Sequence, residues 1–67
     1  MPKLTTKDGE IEVSVAAIAR MADRMQRLGG TGRRANYVEK ARARLKDGPC
    51  RKADAAIVLA AGDVGAA

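Results

Sequence analysis

The residues with the clearest potential for chemistry are the lysines and arginines that follow a glycine-rich turn. The segment Gly29-Gly30-Thr31-Gly32-Arg33-Arg34 leads into a predicted helix that runs to about Lys46. Residues 29–48 hold six of the thirteen Lys and Arg residues and two acids, Glu39 and Asp47, which leaves +4 (six minus two) of the formal net charge of +5. A basic cluster at the start of a helix can hold phosphate groups or an acidic protein surface.

Helical spacing arranges these cations, and those of the preceding segment, in two basic rows. The row on the first predicted helix has i, i+4, i+7 spacing and contains Arg20, Arg24 and Arg27. The outer row on the second contains Arg33, Asn36, Lys40 and Arg44, with Arg34 beside its first member. If the helices form a hairpin, the rows combine into one surface that contacts the phosphates of duplex nucleic acid. Because Lys40 and Arg44 are predicted on the outer face, replacing them by alanine should leave the fold intact.

Three interpretations of the basic rows stay open. They form an ordinary solvated face, whose charge is diluted by Asp23, Glu39 and Asp47, or they bind duplex nucleic acid, or they bind an acidic protein partner. Stacking on single-stranded bases is disfavoured, because Tyr37 is the only aromatic residue in the sequence.

The glycine-rich segment itself does not match a nucleotide-binding motif. It lacks the Gly-Lys-Ser/Thr ending of a Walker loop, it follows a predicted helix instead of a strand, and its glycines lack the spacing of a dinucleotide fingerprint. The simpler interpretation is a turn between two helices. A narrower functional hypothesis is that the amides of Gly32 and Arg33, with the Arg33 and Arg34 side chains, hold one backbone phosphate.

The sequence offers little for catalysis. It has no histidine, its only serine is Ser14, which suits a helix cap, and Cys50 has no histidine to activate it. We expect Cys50 to be a small, half-buried thiol. Asp8, Glu10 and Glu12 lack a supporting set of metal ligands. These observations predict a protein that is not an enzyme, with no catalytic residues, no cofactor and no metal site.

Composition predicts a weak core and an intracellular setting. The chain has 67 residues, no Phe or Trp, and an apolar content that is mainly alanine, which buries little area. We therefore expect a homodimer or a partner-bound protein, with Met21, Met25 or Ile57 on an incompletely covered apolar surface. The single cysteine, the lack of a leader and a longest apolar run of only residues 55–61 predict a cytoplasmic protein without membrane contact.

The pattern predicts a small single-domain α+β fold that spans residues 1–67 and begins with a β-hairpin over residues 3–13. Asp8-Gly9 is a favoured pair for a type I′ turn. This turn pairs Lys7 with Glu10, Thr6 with Ile11, Thr5 with Glu12 and Leu4 with Val13. One face of the hairpin then carries Leu4, Thr6, Ile11 and Val13.

Two or three short helices are predicted after the hairpin. The first spans residues 15–28, is capped by Ser14 and ends at Gly29-Gly30; its buried stripe is Ile18, Met21, Ala22, Met25 and Leu28. The second spans 32–46, is capped by Thr31 and buries Ala35, Val38, Ala41 and Leu45. The third spans 50–61, with Pro49 suited to its first turn and Ile57, Val58 and Leu59 buried on several sides. Residues 62–67 are predicted to be a frayed tail.

Part of the chain resembles the ribbon-helix-helix repressors. Glu10-Ile11-Glu12-Val13-Ser14 and the helix up to Gly29 look like the strand and first helix of that family, and residues 33–41 are similar to the opening of its second helix. The likeness covers about half of the chain. The turn between the helices is longer than in that family, and the strand positions that would read bases are Glu10 and Glu12, which phosphates repel. The Asp8-Gly9 hairpin competes for the same strand.

Taken together, these features predict a small non-enzymatic regulatory protein that binds duplex nucleic acid through its basic helical rows. The alternative is a protein-docking inhibitor or adaptor, of the kind found in phages or mobile elements, that blocks a host protein or complex.

Overall fold

The chain folds into a β-hairpin followed by three helices, which confirms the predicted fold class. The computed structural model describes residues 2–65, apart from the side chains of Thr31 and of residues 63–65. The elements are β1 (Lys3–Thr6), β2 (Gly9–Glu12), α1 (Val15–Gln26), α2 (Thr31–Asp47) and α3 (Lys52–Gly65). The Cα radius of gyration is 11.1 Å, close to the value of about 11 Å expected for one folded domain of this length.

The hairpin forms, but its predicted register is wrong. The pairs are Lys3 with Glu12, Leu4 with Ile11, Thr5 with Glu10 and Thr6 with Gly9, so the turn is centred on Lys7-Asp8. A type I′ turn at Asp8-Gly9 would need positive φ at both residues. Of the two, only Gly9 has a positive φ, +113°. A type I turn before a glycine avoids placing an aspartate in the left-handed region.

Thr6 stabilises this alternative turn. Its hydroxyl oxygen accepts a hydrogen bond from the Asp8 amide at 3.2 Å and donates one to the Gly9 carbonyl at 2.7 Å. Local hydroxyl-to-backbone bonds of this kind are typical of turns. These two hydrogen bonds stabilise the turn while Asp8 keeps a negative φ.

The faces of the hairpin are as predicted in spite of the register error. Each partner of β1 differs from the predicted one by two residues, and side chains alternate with a period of two. Leu4 and Ile11 therefore lie opposite one another on one face, while Lys3 and Glu12 form an ion pair on the other at 3.7 Å. Because β2 pairs with β1 of the same chain, the strand that resembles a repressor ribbon is already used within the hairpin.

Helix α1 follows the sequence closely. Ser14 is the N-cap, and its side-chain oxygen accepts from the Ala17 amide at 3.2 Å. The helix ends at Gln26, two residues before the predicted Leu28, and Gly29 then adopts φ +75°. The predicted stripe is buried or half-buried throughout: Ile18, Met21, Ala22, Met25 and Leu28.

Helix α2 differs from the prediction at its start and along its inner stripe. It begins at Thr31, with Gly30 as an N-cap that contributes no side-chain hydrogen bond, so the predicted Thr31 cap is wrong. Ala35 is exposed, whereas Arg34 and Tyr37 are half-buried with Val38, and Ala41 and Leu45 are buried. The inner stripe is therefore rotated toward Arg34, because Arg34, Val38, Ala41 and Leu45 follow helical i, i+4, i+7 and i+11 spacing.

Helix α3 begins later and ends later than predicted. It starts at Lys52, where the Arg51 carbonyl accepts from the Ala55 amide at 3.1 Å, so Pro49 and Cys50 precede the helix. It extends to Gly65, which corrects the predicted frayed tail at residues 62–65; residues 66 and 67 lie outside the described part of the chain. The alanines on both sides of Ile57 favour continuation of the helix.

The core lies where α3 packs against both α1 and α2, which contact each other much less. The buried apolar residues are Val13, Ile18, Met25, Ala41, Leu45, Ala55, Ala56, Ile57 and Ala60. Consecutive residues 54–57 are all buried, so α3 is covered on several sides there, but of the three residues predicted to be buried only Ile57 is, and Val58 and Leu59 are half-buried. Alanines at the contacts allow short distances between helix axes. Met25 and Ile57 are therefore covered within one chain, contrary to the expected open apolar surface, and Met21 is half-buried.

Candidate functional site

The predicted row on α1 lines a depression of about 380 Å³ on the surface. Arg20, Arg24 and Arg27 line it together with Met21 and Asp23, and all three arginines are exposed. Arg27 forms an i, i+4 ion pair with Asp23 at 3.1 Å. No described carboxylate pairs with Arg20 or Arg24, so these two guanidinium groups are the ones that this helix presents for an anion.

The predicted row on α2 divides into two parts with different surroundings. Arg33 and Lys40 are exposed and pair with no described carboxylate. At about 100° per residue, they lie about 20° apart around the helix axis. We call this side, with Arg44, the first flank of α2. Arg34 is half-buried and lies on the inner stripe, so it is not part of the first flank.

Arg44 lies on the first flank but bonds to α3. Its Nη2 and Nε atoms donate to the same oxygen of Asp54, Oδ1, at 2.8 and 2.9 Å. The Asp54 side chain is only 7% exposed, whereas half of Arg44 is accessible. The hydrogen bond to Asp54 raises the pKa of the Arg44 guanidinium above its ordinary value, so the group is charged at any working pH. Arg44 therefore holds α2 against α3, and two of its guanidinium nitrogens are already bonded to a carboxylate.

Asp54 has a second favourable interaction through its position. It is the third residue of α3, within the first turn, where the unpaired amides and the helix dipole attract a negative charge. A nearly buried carboxylate is costly unless it is paired. The Arg44 guanidinium and the start of α3 together satisfy this requirement.

The opposite side of α2 carries two cations that belong to neither predicted row. Arg42 and Lys46 are exposed and lie about 120–160° around the helix from Lys40. We call this side the second flank. Their i, i+4 spacing in the sequence predicts that they share one side of the helix. The sequence alone does not show which other element that side faces.

The second flank borders an open groove of about 360 Å³. We call it the β1–α2 groove; it is lined by Leu4, Thr5, Thr6, Lys7, Arg42, Leu45, Lys46 and Val58. Its apolar floor comes from β1, α2 and α3, and three cations surround that floor. None of the lining residues is acidic.

The glycine-rich turn places Gly30 as the N-cap of α2. Gly30 gives no side-chain cap, the first turn of α2 has no acidic residue, and the Arg34 amide donates to the Gly30 carbonyl at 3.1 Å. This geometry is compatible with the predicted phosphate contact by the amides of Gly32 and Arg33.

The thiol and the carboxylates considered in the sequence show no arrangement typical of a catalytic or metal site among the described residues. Cys50 is half-buried, and its thiol donates to the Leu45 carbonyl near the end of α2 at 3.6 Å. Among the described residues, no group of three or more His, Cys, Asp or Glu side chains is placed to hold a metal ion. No helix in the described part combines the length and apolar character that crossing a bilayer requires.

Comparison with known proteins gives no family for this chain. No protein-family model, no curated protein and no solved structure matches it. Function must therefore be inferred from the side chains and their geometry.

Proposed function

We propose that this protein is a non-enzymatic regulatory protein that binds duplex nucleic acid through exposed cations of α1 and α2. One observation carries the proposal: Arg20, Arg24, Arg33 and Lys40 are exposed, and none of them pairs with a described carboxylate. Arg and Lys side chains that are not neutralised by the protein are available to replace the counterions of a phosphate backbone.

A duplex fits these cations better than a single strand does. Tyr37 is half-buried, so the one aromatic ring of the chain does not form an open stacking platform. The proposed contacts are long, flexible side chains on helices, which suit phosphates better than base edges. We therefore expect binding with little dependence on base sequence.

The pairing of Arg44 with Asp54 decides which residues the test must change. An alanine at position 44 would leave the Asp54 carboxylate without its partner and mix a folding defect with a binding defect. The informative variant is Arg33→Ala/Lys40→Ala, because both residues are exposed and lack a described ion pair. The matched control is Arg42→Ala/Lys46→Ala, which removes the same charge from the second flank.

The experiment measures the affinity for two labelled DNA duplexes of unrelated sequence by fluorescence anisotropy over a range of salt concentrations. We expect the Arg33→Ala/Lys40→Ala variant to lose about 0.9 per contact from the slope of log affinity against log salt, on both duplexes. The Arg42→Ala/Lys46→Ala control should retain most of the slope. Equal losses in both variants would show that net charge alone drives binding, and no salt-dependent binding by the unmodified protein would end the proposal.

A further inference from the structure

The β1–α2 groove runs along an edge of the hairpin. Four consecutive residues of the chain, from Leu4 to Lys7, line it. Successive side chains of a strand point to opposite faces, so a groove that contacts all four follows the edge of the strand and not one face. The sheet has two strands, and among the described residues β1 has a strand neighbour only on its β2 side.

The hydrogen-bond pattern shows which backbone groups point to that edge. In an antiparallel pair, hydrogen-bonded and non-hydrogen-bonded residue pairs alternate. The Val13 amide donates to the Pro2 carbonyl at 2.9 Å, so the pairs Leu4–Ile11 and Thr6–Gly9 are the hydrogen-bonded ones. Thr5, opposite Glu10, is in a non-hydrogen-bonded pair. Its amide and carbonyl therefore point away from β2, toward the side on which Thr5 lines the groove.

The side chains around the groove select a ligand of definite chemistry. Leu4 and Val58 are half-buried and leave apolar surface accessible, next to the buried Leu45. Lys7, Arg42 and Lys46 are exposed, and none of them pairs with a described carboxylate. A free strand edge, an apolar floor and an uncompensated positive charge thus occur at one place.

We propose that the β1–α2 groove binds an extended acidic segment of a partner protein, which adds a strand to the free edge of β1. The backbone of the segment bonds to Thr5, one apolar side chain covers Leu4 and Val58, and its carboxylates face Lys7, Arg42 and Lys46. Strand addition is a general mode of peptide recognition in which backbone bonds provide affinity and side-chain contacts provide specificity. This inference does not depend on the duplex-binding proposal.

Charge complementarity favours an acidic partner over a second copy of this chain. An antiparallel copy of β1 would bring a strand with lysines at positions 3 and 7 to the same edge, beside Arg42 and Lys46. Lysine on an edge strand is a common device against such self-pairing. An acidic segment turns that repulsion into attraction.

The experiment uses a labelled, capped peptide in which Glu alternates with Leu, and measures its affinity for the full chain by fluorescence anisotropy. We expect Lys46→Glu to weaken binding about fivefold or more at low salt, because an attraction becomes a repulsion at the edge of the groove. The matched control is Lys40→Glu, the same charge change on the first flank, which should leave the peptide affinity within about twofold. Equal effects of the two variants would overturn the proposal.

A second variant tests strand addition directly. Thr5→Pro removes the outward amide at an edge position where proline is tolerated, and Thr5→Val keeps that amide. We expect Thr5→Pro to lower the peptide affinity by about fivefold or more, as for the loss of a hydrogen bond with an added steric clash, whereas Thr5→Val retains it. Far-ultraviolet circular dichroism and duplex binding should be unchanged in both variants. If Thr5→Pro and Thr5→Val bind the peptide equally, no strand is added.

The choice of ligand class is tested with the same variants. A peptide of identical composition in scrambled order, without the alternation, should bind more weakly than the alternating peptide. If duplex affinity, and not peptide affinity, falls in Lys46→Glu while remaining unchanged in Lys40→Glu, the groove serves nucleic acid and the proposal is wrong. In contrast, failure of the duplex proposal alone would leave the peptide results untouched.

Discussion

Arg44 on α2 and Asp54 on α3 form the one ion pair between helices in the described part of the chain. Two guanidinium nitrogens converge on a single carboxylate oxygen at 2.8 and 2.9 Å, and the carboxylate is nearly buried. The pair joins two elements whose apolar contact includes small buried side chains such as Ala41 and Ala56. The pair therefore helps to fix the orientation of α2 relative to α3, in addition to any effect on stability.

Removing the charge of Asp54 should destabilise the fold. Asp54→Asn keeps the size of the side chain but weakens the bonds from Arg44, and we expect the free energy of unfolding to fall by about 1–3 kcal/mol. Urea unfolding followed by circular dichroism measures the change. The matched control is Asp23→Asn, which affects an ion pair whose side chains are 79% and 60% exposed and should cost at most about 0.5 kcal/mol. Equal effects of the two substitutions would contradict the structural role of the Arg44–Asp54 pair.

The hairpin turn should not tolerate a side chain at Gly9. Its φ of +113° lies in a region that L-residues rarely adopt, so Gly9→Val should lower the free energy of unfolding by about 1–2 kcal/mol. Thermal melts measure the difference. Lys7→Ala is the control in the same turn, because Lys7 is exposed and has no positive φ. A silent Gly9→Val would mean that the turn is an open loop in solution.

A capping side chain at position 30 should stabilise the protein. Gly30 is the N-cap of α2 without a side-chain bond, its φ of 179° is extended backbone that any residue adopts, and no atom lies within 4 Å of the place of a Cβ. Gly30→Asp adds a cap and a negative charge at a helix start that carries Arg33 and Arg34. We expect a gain of about 0.5 kcal/mol in the free energy of unfolding. Gly30→Leu adds bulk without a cap and should not give this gain in the same urea titration.

Self-association should involve the exposed start of α1. Val15 is 67% exposed, and among the described residues it is the one large apolar side chain that is exposed. If the small core is supplemented by a second copy, Val15→Glu should shift the mass measured by sedimentation at micromolar concentration toward that of one chain. Acidic residues are favourable in the first turn of a helix, so the variant should keep its thermal stability. An unmodified protein that sediments as one chain throughout this range contradicts the homodimer prediction.

Local patterns were sufficient to predict the elements of this protein. Local signals act over a few residues each, and the structure contains all of them: Ser14 as a cap, glycine after α1, Gly48-Pro49 after α2 and the alternation within the hairpin. The errors at this level have local causes as well. Thr6 supports a turn one residue earlier than Asp8-Gly9, and Gly30 rather than Thr31 precedes α2.

Only the tertiary structure decided what the cations do. Arg33, Lys40 and Arg44 share one flank of α2, and helical spacing does not reveal that Asp54, from another helix, neutralises the third of them. In the same way, Lys7 and Lys46 are far apart in the chain and line one groove because the hairpin and α2 both contact α3. The position of a charge on its own helix is a local property that the sequence determines. Whether that charge is paired, buried or free depends on the relative rotation of packed elements, which is set by contacts between residues distant in the chain.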